Sequence, residues 1–212
     1  MSSSSPIAKT PVRLTERKRQ AIVEAAIAEF RQYGFEATSM DRIAASAGVS
    51  KRTVYNHFPS KDALFDEILV QLWQRSLDTV GVPYAPQQPL RAQLLQLLQQ
   101  KLQMFDDPAF LGLSRMAMVE GLRAPERARD LVARLGSKEE GTLVWLRAAL
   151  ADGRLKPLQP EFAAQQLQAL IKGFAFWPQL SMGQPPLSPA QQAEVAASAA
   201  DMFLGHYARD PD

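Results

Sequence analysis

The sequence predicts an all-α protein: an N-terminal three-helix helix-turn-helix domain joined by a long helix to a C-terminal helical bundle. Two observations carry this. Apolar residues recur at spacings of three and four along most of the 212 residues, while no segment sustains the period-2, β-branched alternation of a half-buried strand. Helix stops and starts (Gly34, Gly48, Ser50, Pro59, Asp152-Gly153, Ser188-Pro189) fall where one apolar stripe gives way to the next.

The first helix is expected over about 15–33, with Ile22, Ala25, Ala26, Phe30 and Tyr33 as its buried stripe and Gly34 as its left-handed stop. Thr38-Ser-Met-Asp41 reads as a capping box opening a second helix, whose apolar face is Met40, Ile43, Ala44 and Ala47. Gly48 ends it, and Ser50 suits the N-cap of a third helix that Pro59 limits. Ser60 can cap a long fourth helix over 61–79, with Leu64, Ile68 and Leu72 on one stripe. The proline-punctuated stretch 81–89 reads as a boundary. Beyond it, helices are expected at about 90–105, 108–123, 125–152, 160–177 and 188–208. The organisation is therefore a disordered basic tail at 1–13, a helix-turn-helix domain at 14–60, a connecting helix at 61–80 and a C-terminal domain at 81–212.

Composition narrows the function. Residues 1–60 hold 9 Lys+Arg against 5 Asp+Glu, a net +4, whereas residues 61–212 carry −2. A basic head on a mildly acidic body points to a polyanion at one end. There is no cysteine, so disulfides and thiolate metal sites are excluded, and a reducing cytoplasm fits. No run approaches the ~18 apolar residues of a membrane span, and the N-terminus lacks the apolar stretch of a secretory signal. His57 and His206 have no Cys or His partner at metal-ligand spacing, and no cofactor is expected. Residues 90–208 show no Gly-rich phosphate loop, nucleophile elbow or other catalytic arrangement, so an enzyme is not expected.

The stretch 49–64, VSKRTVYNHFPSKDAL, carries the chemistry. On a helical wheel Val54 and Phe58 share the face that can pack inward, while Arg52 and Asn56 lie nearly opposite, flanked by Thr53 and Tyr55. A helix from Ser50 to Phe58 is ~12–14 Å long, which suits a major groove ~12 Å wide. Arginine can pair with guanine O6 and N7, asparagine with adenine N6 and N7, and Thr53 can meet a thymine methyl group. Tyr55, His57 and Lys61 have reach for phosphate oxygens, and Ser50 and Lys51 stand at the helix start. Thr38, with the free N–H groups opening the second helix, is expected to form another phosphate site.

Residues 15–65 resemble the N-terminal domain of the tetracycline-repressor (TetR) family. The resemblance rests on Ile22-Val-Glu-Ala-Ala-Ile-Ala-Glu-Phe30, on the unbroken stretch from Tyr33 to Phe58, and on Ser60-Lys-Asp-Ala-Leu-Phe65. It implies that the third helix reads DNA and that Tyr55, His57 and Lys61 contact its backbone. The family often has glycine where this chain has Arg52, and tyrosine or histidine where it has Asn56, so the operator is not transferable from relatives. Residues 115–126 and 199–204 are similar to an AefR-like C-terminal subgroup.

The resemblance implies a homodimeric repressor in which the last two helices pair with a second subunit. Phe162, Leu170, Phe174, Ala196, Ala199, Ala200 and Phe203 are expected at that interface. Trp73, Phe105, Met116 and Phe176 are expected in the core. Met104, Phe110, Arg115, Met118, Trp145, Phe174 and Trp177 are the candidates for lining a pocket for a small, apolar effector. Arg115, Glu120 and Arg147 fit a pocket or ordinary ion pairs equally. The expected partners are thus an operator in double-stranded DNA, an effector of unknown identity and a second copy, with no membrane. A ligand-independent regulator or activator, a non-specific DNA-binding protein, and an enzyme or ligand carrier stand as alternatives.

Overall fold

A computed structural model of the chain describes residues 14–79, 81–135 and 141–209. The expected tail at 1–13 lies outside them. The described residues form eleven helices and no strand; the single β-bridge joins Leu155 to Ala208. They divide into two compact units, up to Ile68 and from Leu69 onward, with the division inside the fourth helix.

The first unit holds α1 (Leu14–Ala37), α2 (Met40–Ser46), α3 (Lys51–His57) and the start of α4 (Lys61–Thr79). Its core is Ile22, Val23, Ala26, Phe30, Ile43, Val54, Phe58, Leu64, Phe65 and Ile68. Phe35 joins Phe30 and Phe65 in a ring cluster with centroids 4.9–5.7 Å apart. This is possible because α1 continues past Gly34 instead of stopping there. Gly34 takes φ 83 and ψ 165, a glycine conformation but not a left-handed helical one, and the chain bends and resumes for one turn. Tyr33, expected in the core, is 41% exposed, with the Arg42 guanidinium 3.5 Å above its ring.

The second unit is built on α5 (Leu90–Asp106), whose Leu90, Leu94, Leu97, Leu98, Leu102 and Phe105 are all buried. Against it lie α8 (Gly141–Ala151), α9 (Pro160–Ala175) and α11 (Pro189–Tyr207). The last packs on α5 through Ala196, Ala199, Ala200 and Phe203, and the short side chains of the three alanines allow close approach. α6 (Pro108–Arg123) and α7 (Pro125–Leu135) follow α5. Of the helix expected over 125–152, residues 136–140 lie outside the described ones, and α7 and α8 are its described parts. The helix expected over 160–177 breaks at Phe176 (φ −123, ψ −62), giving way to a five-residue α10 (Trp177–Ser181). Pro178 is the cause, since it cannot donate within a continuing helix.

The loop 81–89 packs within the second unit. Gln93, 1% exposed, holds Ala85 by both its N–H and its carbonyl, reaches the carbonyl of Gln88, and accepts from the Trp145 indole at 3.1 Å. Trp73, expected in the core, is 44% exposed, well round α4 from Ile68.

Lys101 on α5 is 5% exposed. Burial pushes its amine down from 10.5 to about 7, and the nearby Lys172 adds to the effect. Between those two values the unfolded chain binds the extra proton. This residue therefore opposes folding fully below about 7 and progressively less as pH rises toward 10.5. Lys101→Met is accordingly expected to be more stable than the parent near neutral pH, with an advantage that shrinks in alkaline buffer. Urea denaturation across a pH series measures this, and a difference independent of pH contradicts it.

Candidate nucleic-acid interface

Three residues turn the chain from α2 into α3. Gly48, with φ 65, lets its own N–H reach the carbonyl of Ala45 (3.2 Å) and that of Val49 reach Ala44 (3.1 Å). Ser50 then caps α3, its hydroxyl accepting from the Thr53 N–H at 3.1 Å. At the far end Phe58 is extended before Pro59, with its N–H still bonded to the Val54 carbonyl at 2.8 Å. Val54 and Phe58 are buried, and the Arg19 guanidinium, paired with Glu67 at 3.1 Å, covers the Phe58 ring.

The opposite face is open. Arg52, Tyr55 and Asn56 are exposed, and among the described residues none makes a hydrogen bond or ion pair. Arg52 and Asn56 are one turn apart, so their head groups point the same way. Thr53 is half-buried, with its hydroxyl 2.8 Å from that of Ser50. Lys51 is exposed but ion-paired with Asp41 on α2. His57 is half-buried beside the Phe58 ring.

Two residues expected at the phosphates have partners inside the protein. Thr38 is neither cap nor surface. It is 2% exposed, and its hydroxyl donates to the Gly34 carbonyl at 2.8 Å and lies 3.2 Å from that of Glu29. The cap of α2 is Ser39, which accepts from the Arg42 N–H. Lys61 donates to the carbonyls of Phe35 (2.7 Å) and Glu36 (3.2 Å), with its ammonium 4.4 Å from the centre of the Phe35 ring. It thus satisfies carbonyls that the end of α1 leaves open. Sequence reasoning missed Arg42, which pairs with Glu29 at 2.7 Å and joins α2 to α1. No local pattern links residues so far apart in the chain.

The residues expected to line a pocket do not gather. Trp145 is buried in the core, Phe174 and Trp177 are 61% and 47% exposed, and Met104 and Phe110 are half-buried against the core. Met118 is exposed, and Arg115 donates from α6 to the backbone carbonyls of Gln179 and Leu180. None of the seven lines a cleft bounded by α5, α9, α10 and the loop after α10. Arg147 pairs with Glu161, and Glu120 with Arg123. The expected interface also divides. Ala196, Ala199, Ala200 and Phe203 face α5 inside the unit, because α11 needs an inner face of its own. Phe162 and Phe174 are exposed on α9, and Leu170 is half-buried there. Among the described residues no cluster of acidic, His or Cys side chains has metal-holding geometry, and no helix is long and apolar enough to cross a membrane.

Residues 22–68 match a family model described as bacterial regulatory proteins of the tetR family, and residues 92–209 one described as the AefR-like transcriptional repressor, C-terminal domain. A crystal structure of a TetR family transcriptional regulator from Pseudomonas syringae pv. tomato str. DC3000 is similar, with 51% identity and a TM-score of 0.79 over 93% of this chain and all of that one. The flavonoid-responsive regulator FrrA is 30% identical, with a TM-score of 0.75 over 91% of this chain and 98% of that one. The HTH-type transcriptional regulator RutR of Escherichia coli K12 is 31% identical over 79% of each chain.

The hydrogen bonds of Thr38 and Lys61 give a test without DNA. Thr38→Val and Lys61→Met should each lower stability by about 1–2 kcal/mol. Arg52→Ala, at an exposed side chain with no hydrogen bond or ion pair among the described residues, should stay within about 0.5 kcal/mol of the parent. Chemical denaturation of the free protein decides between them.

Proposed function

Because the chain belongs to the TetR family of transcriptional regulators, and is thus a DNA-binding regulator and not an enzyme, we infer that it is a homodimeric repressor. It holds a palindromic operator through α3 and is released by a small apolar ligand bound in the C-terminal unit. The observation that carries the operator reading is the open face of α3: Arg52, Tyr55 and Asn56 are exposed and uncommitted, on a helix anchored from behind by Val54 and Phe58. Arg52 and Asn56 read base edges and Thr53 offers its methyl group. Tyr55, His57, Ser50 and Lys51 steady the backbone, and Lys61 divides its charge between the α1 carbonyls and the nearest phosphate.

Repression is supported by the description of the matched C-terminal model. Dimerisation is supported by the outer face of α9, where Phe162, Ala169, Gly173 and Phe174 are all exposed at spacings of seven, four and one. Exposed aromatics rimmed by polar residues mark a protein contact. α11 adds exposed Met202 and Gly205. A dimer also doubles what a short helix can read. A ligand-controlled mechanism is supported by FrrA, whose name makes it flavonoid-responsive. It requires the ligand to bind the non-binding state more tightly, since equal affinity shifts nothing.

Selection of bound DNA from a random pool tests the operator reading. A palindrome with half-sites about one helical turn apart is expected, bound roughly 10³–10⁷ times tighter than random DNA; equal binding to both would leave only a non-specific DNA-binding protein. Arg52→Ala and Asn56→Ala should each relax preference at particular positions, by about 1–3 kcal/mol per lost bidentate contact. Uniform weakening at every position would remove their assignment. Phe174→Glu should yield a folded monomer in sedimentation, whereas Ala199→Glu should lose the fold, because Ala199 faces α5.

A further inference from the structure

We propose that the cleft between α5, the α9–α10 break and the loop 182–188 is the effector site, and that it selects a small apolar molecule bearing a hydrogen-bond donor, read by the side-chain carbonyl of Gln179. This rests on the ligand-released repressor above and adds the place and the chemistry. Leu102 and Phe105 of α5, Ala175 of α9, and Pro186 and Leu187 of the loop give the cleft apolar walls. Phe105 stacks on Phe176 with centroids 5.1 Å apart, so a flat ring can extend an existing aromatic pair.

Gln179 supplies the polar feature. It lines the cleft and is 3% exposed. Its Nε2 donates to the carbonyls of Phe174 (3.3 Å) and Pro185 (3.2 Å), which fixes the orientation of the amide, since a flipped oxygen would face two carbonyl oxygens. Its Oε1 is buried and has no partner among the described residues. Buried acceptors are seldom left unpaired, and of the three residues with such an atom among the described ones (Gln100, Thr142 and Gln179) only Gln179 lines the cleft, where a donor can reach it. Asp106 shares the lining, so an anion is disfavoured and a neutral hydroxyl or N–H is favoured.

The cleft has a volume of about 10 Å³, space for a single water. A larger occupant must therefore displace a wall, and the wall able to move is α10 with its loop. That wall hangs on the two Gln179 bonds, on Gln192 Nε2 donating to the Leu187 carbonyl (3.1 Å), and on Arg115 gripping the carbonyls of Gln179 (2.6 Å) and Leu180 (3.1 Å). Movement of α10 consequently reaches α6 through Arg115.

The test uses the full chain and a matched pair of probes, 2-naphthol and 2-methoxynaphthalene, which differ in the donor. Isothermal titration should find 2-naphthol bound about tenfold more tightly. Gln179→Met should erase that preference, and Leu187→Trp, filling the cleft, should abolish binding of both; thermal melting checks that each variant folds. If Gln179→Met fails to fold, Leu187→Trp and the probe pair on the parent decide. Equal binding of the probes, no binding of either, a preference that survives Gln179→Met, or a crystal soak showing a buried water only at Oε1 would overturn the proposal. Operator titrations separate it from the reading beneath it. Gln179-dependent binding of 2-naphthol without change in operator affinity upholds the site and defeats ligand release. Release by a ligand indifferent to Gln179→Met does the reverse.

Discussion

A seven-residue helix cannot hold itself together in water, and the first unit is arranged around that constraint on α3. Two inward side chains, Val54 and Phe58, provide the attachment, and the ends are set by the Ser50 hydroxyl and by Pro59. The surface they attach to must itself be rigid, and it depends on the bend at Gly34. Phe35 is delivered to the Phe30–Phe65 pair, the freed carbonyls of Phe35 and Glu36 are taken by Lys61, and Thr38 ties the connection back to Gly34. Arg42 completes the frame by joining α2 to Glu29 of α1. The polar residues of this unit thus divide between those that fix geometry and those that geometry presents.

The second unit solves a different problem. α5 is covered on several sides, and α11 spends its smallest residues on that contact. The aromatics of α9 that do not reach α5 are left facing outward. Inside, polar groups are matched with care: Gln93 serves a loop and the Trp145 indole at once. Three buried side-chain oxygens of the same unit have no partner among the described residues, those of Gln100, Thr142 and Gln179, and of these residues Gln179 is the one that lines the cleft.

Much of this was legible in the sequence wherever local chemistry decides. Gly48, Ser50, Pro59, Ser60, Pro108 and Ser188 punctuate the helices as their backbone preferences require, and the wheel of α3 separated its faces correctly. What escaped was decided by distant residues. Thr38 and Ser39 are both good caps, and only the packing of the first unit chooses between them. The alanines of α11 occur on more than one face, so spacing alone could not say which face turns inward. Lys61 carried a visible charge but an invisible partner on the end of α1, far from it in the chain. The break at Phe176 did have a local signal, Pro178, which the apolar run around it concealed.

The bare outer face of α3 has one more consequence. The side chains of Arg52, Tyr55 and Asn56 are exposed and make no hydrogen bond or ion pair among the described residues, so a substitution there is felt by whatever the helix meets more than by the fold. Mutational drift at these positions is uncoupled from the survival of the protein as a folded object. Duplicated copies of such a chain can diverge in what they recognise while inheriting the frame unchanged. The residues that hold α3 from behind have no such freedom, and the two sets sit on opposite sides of a single short helix.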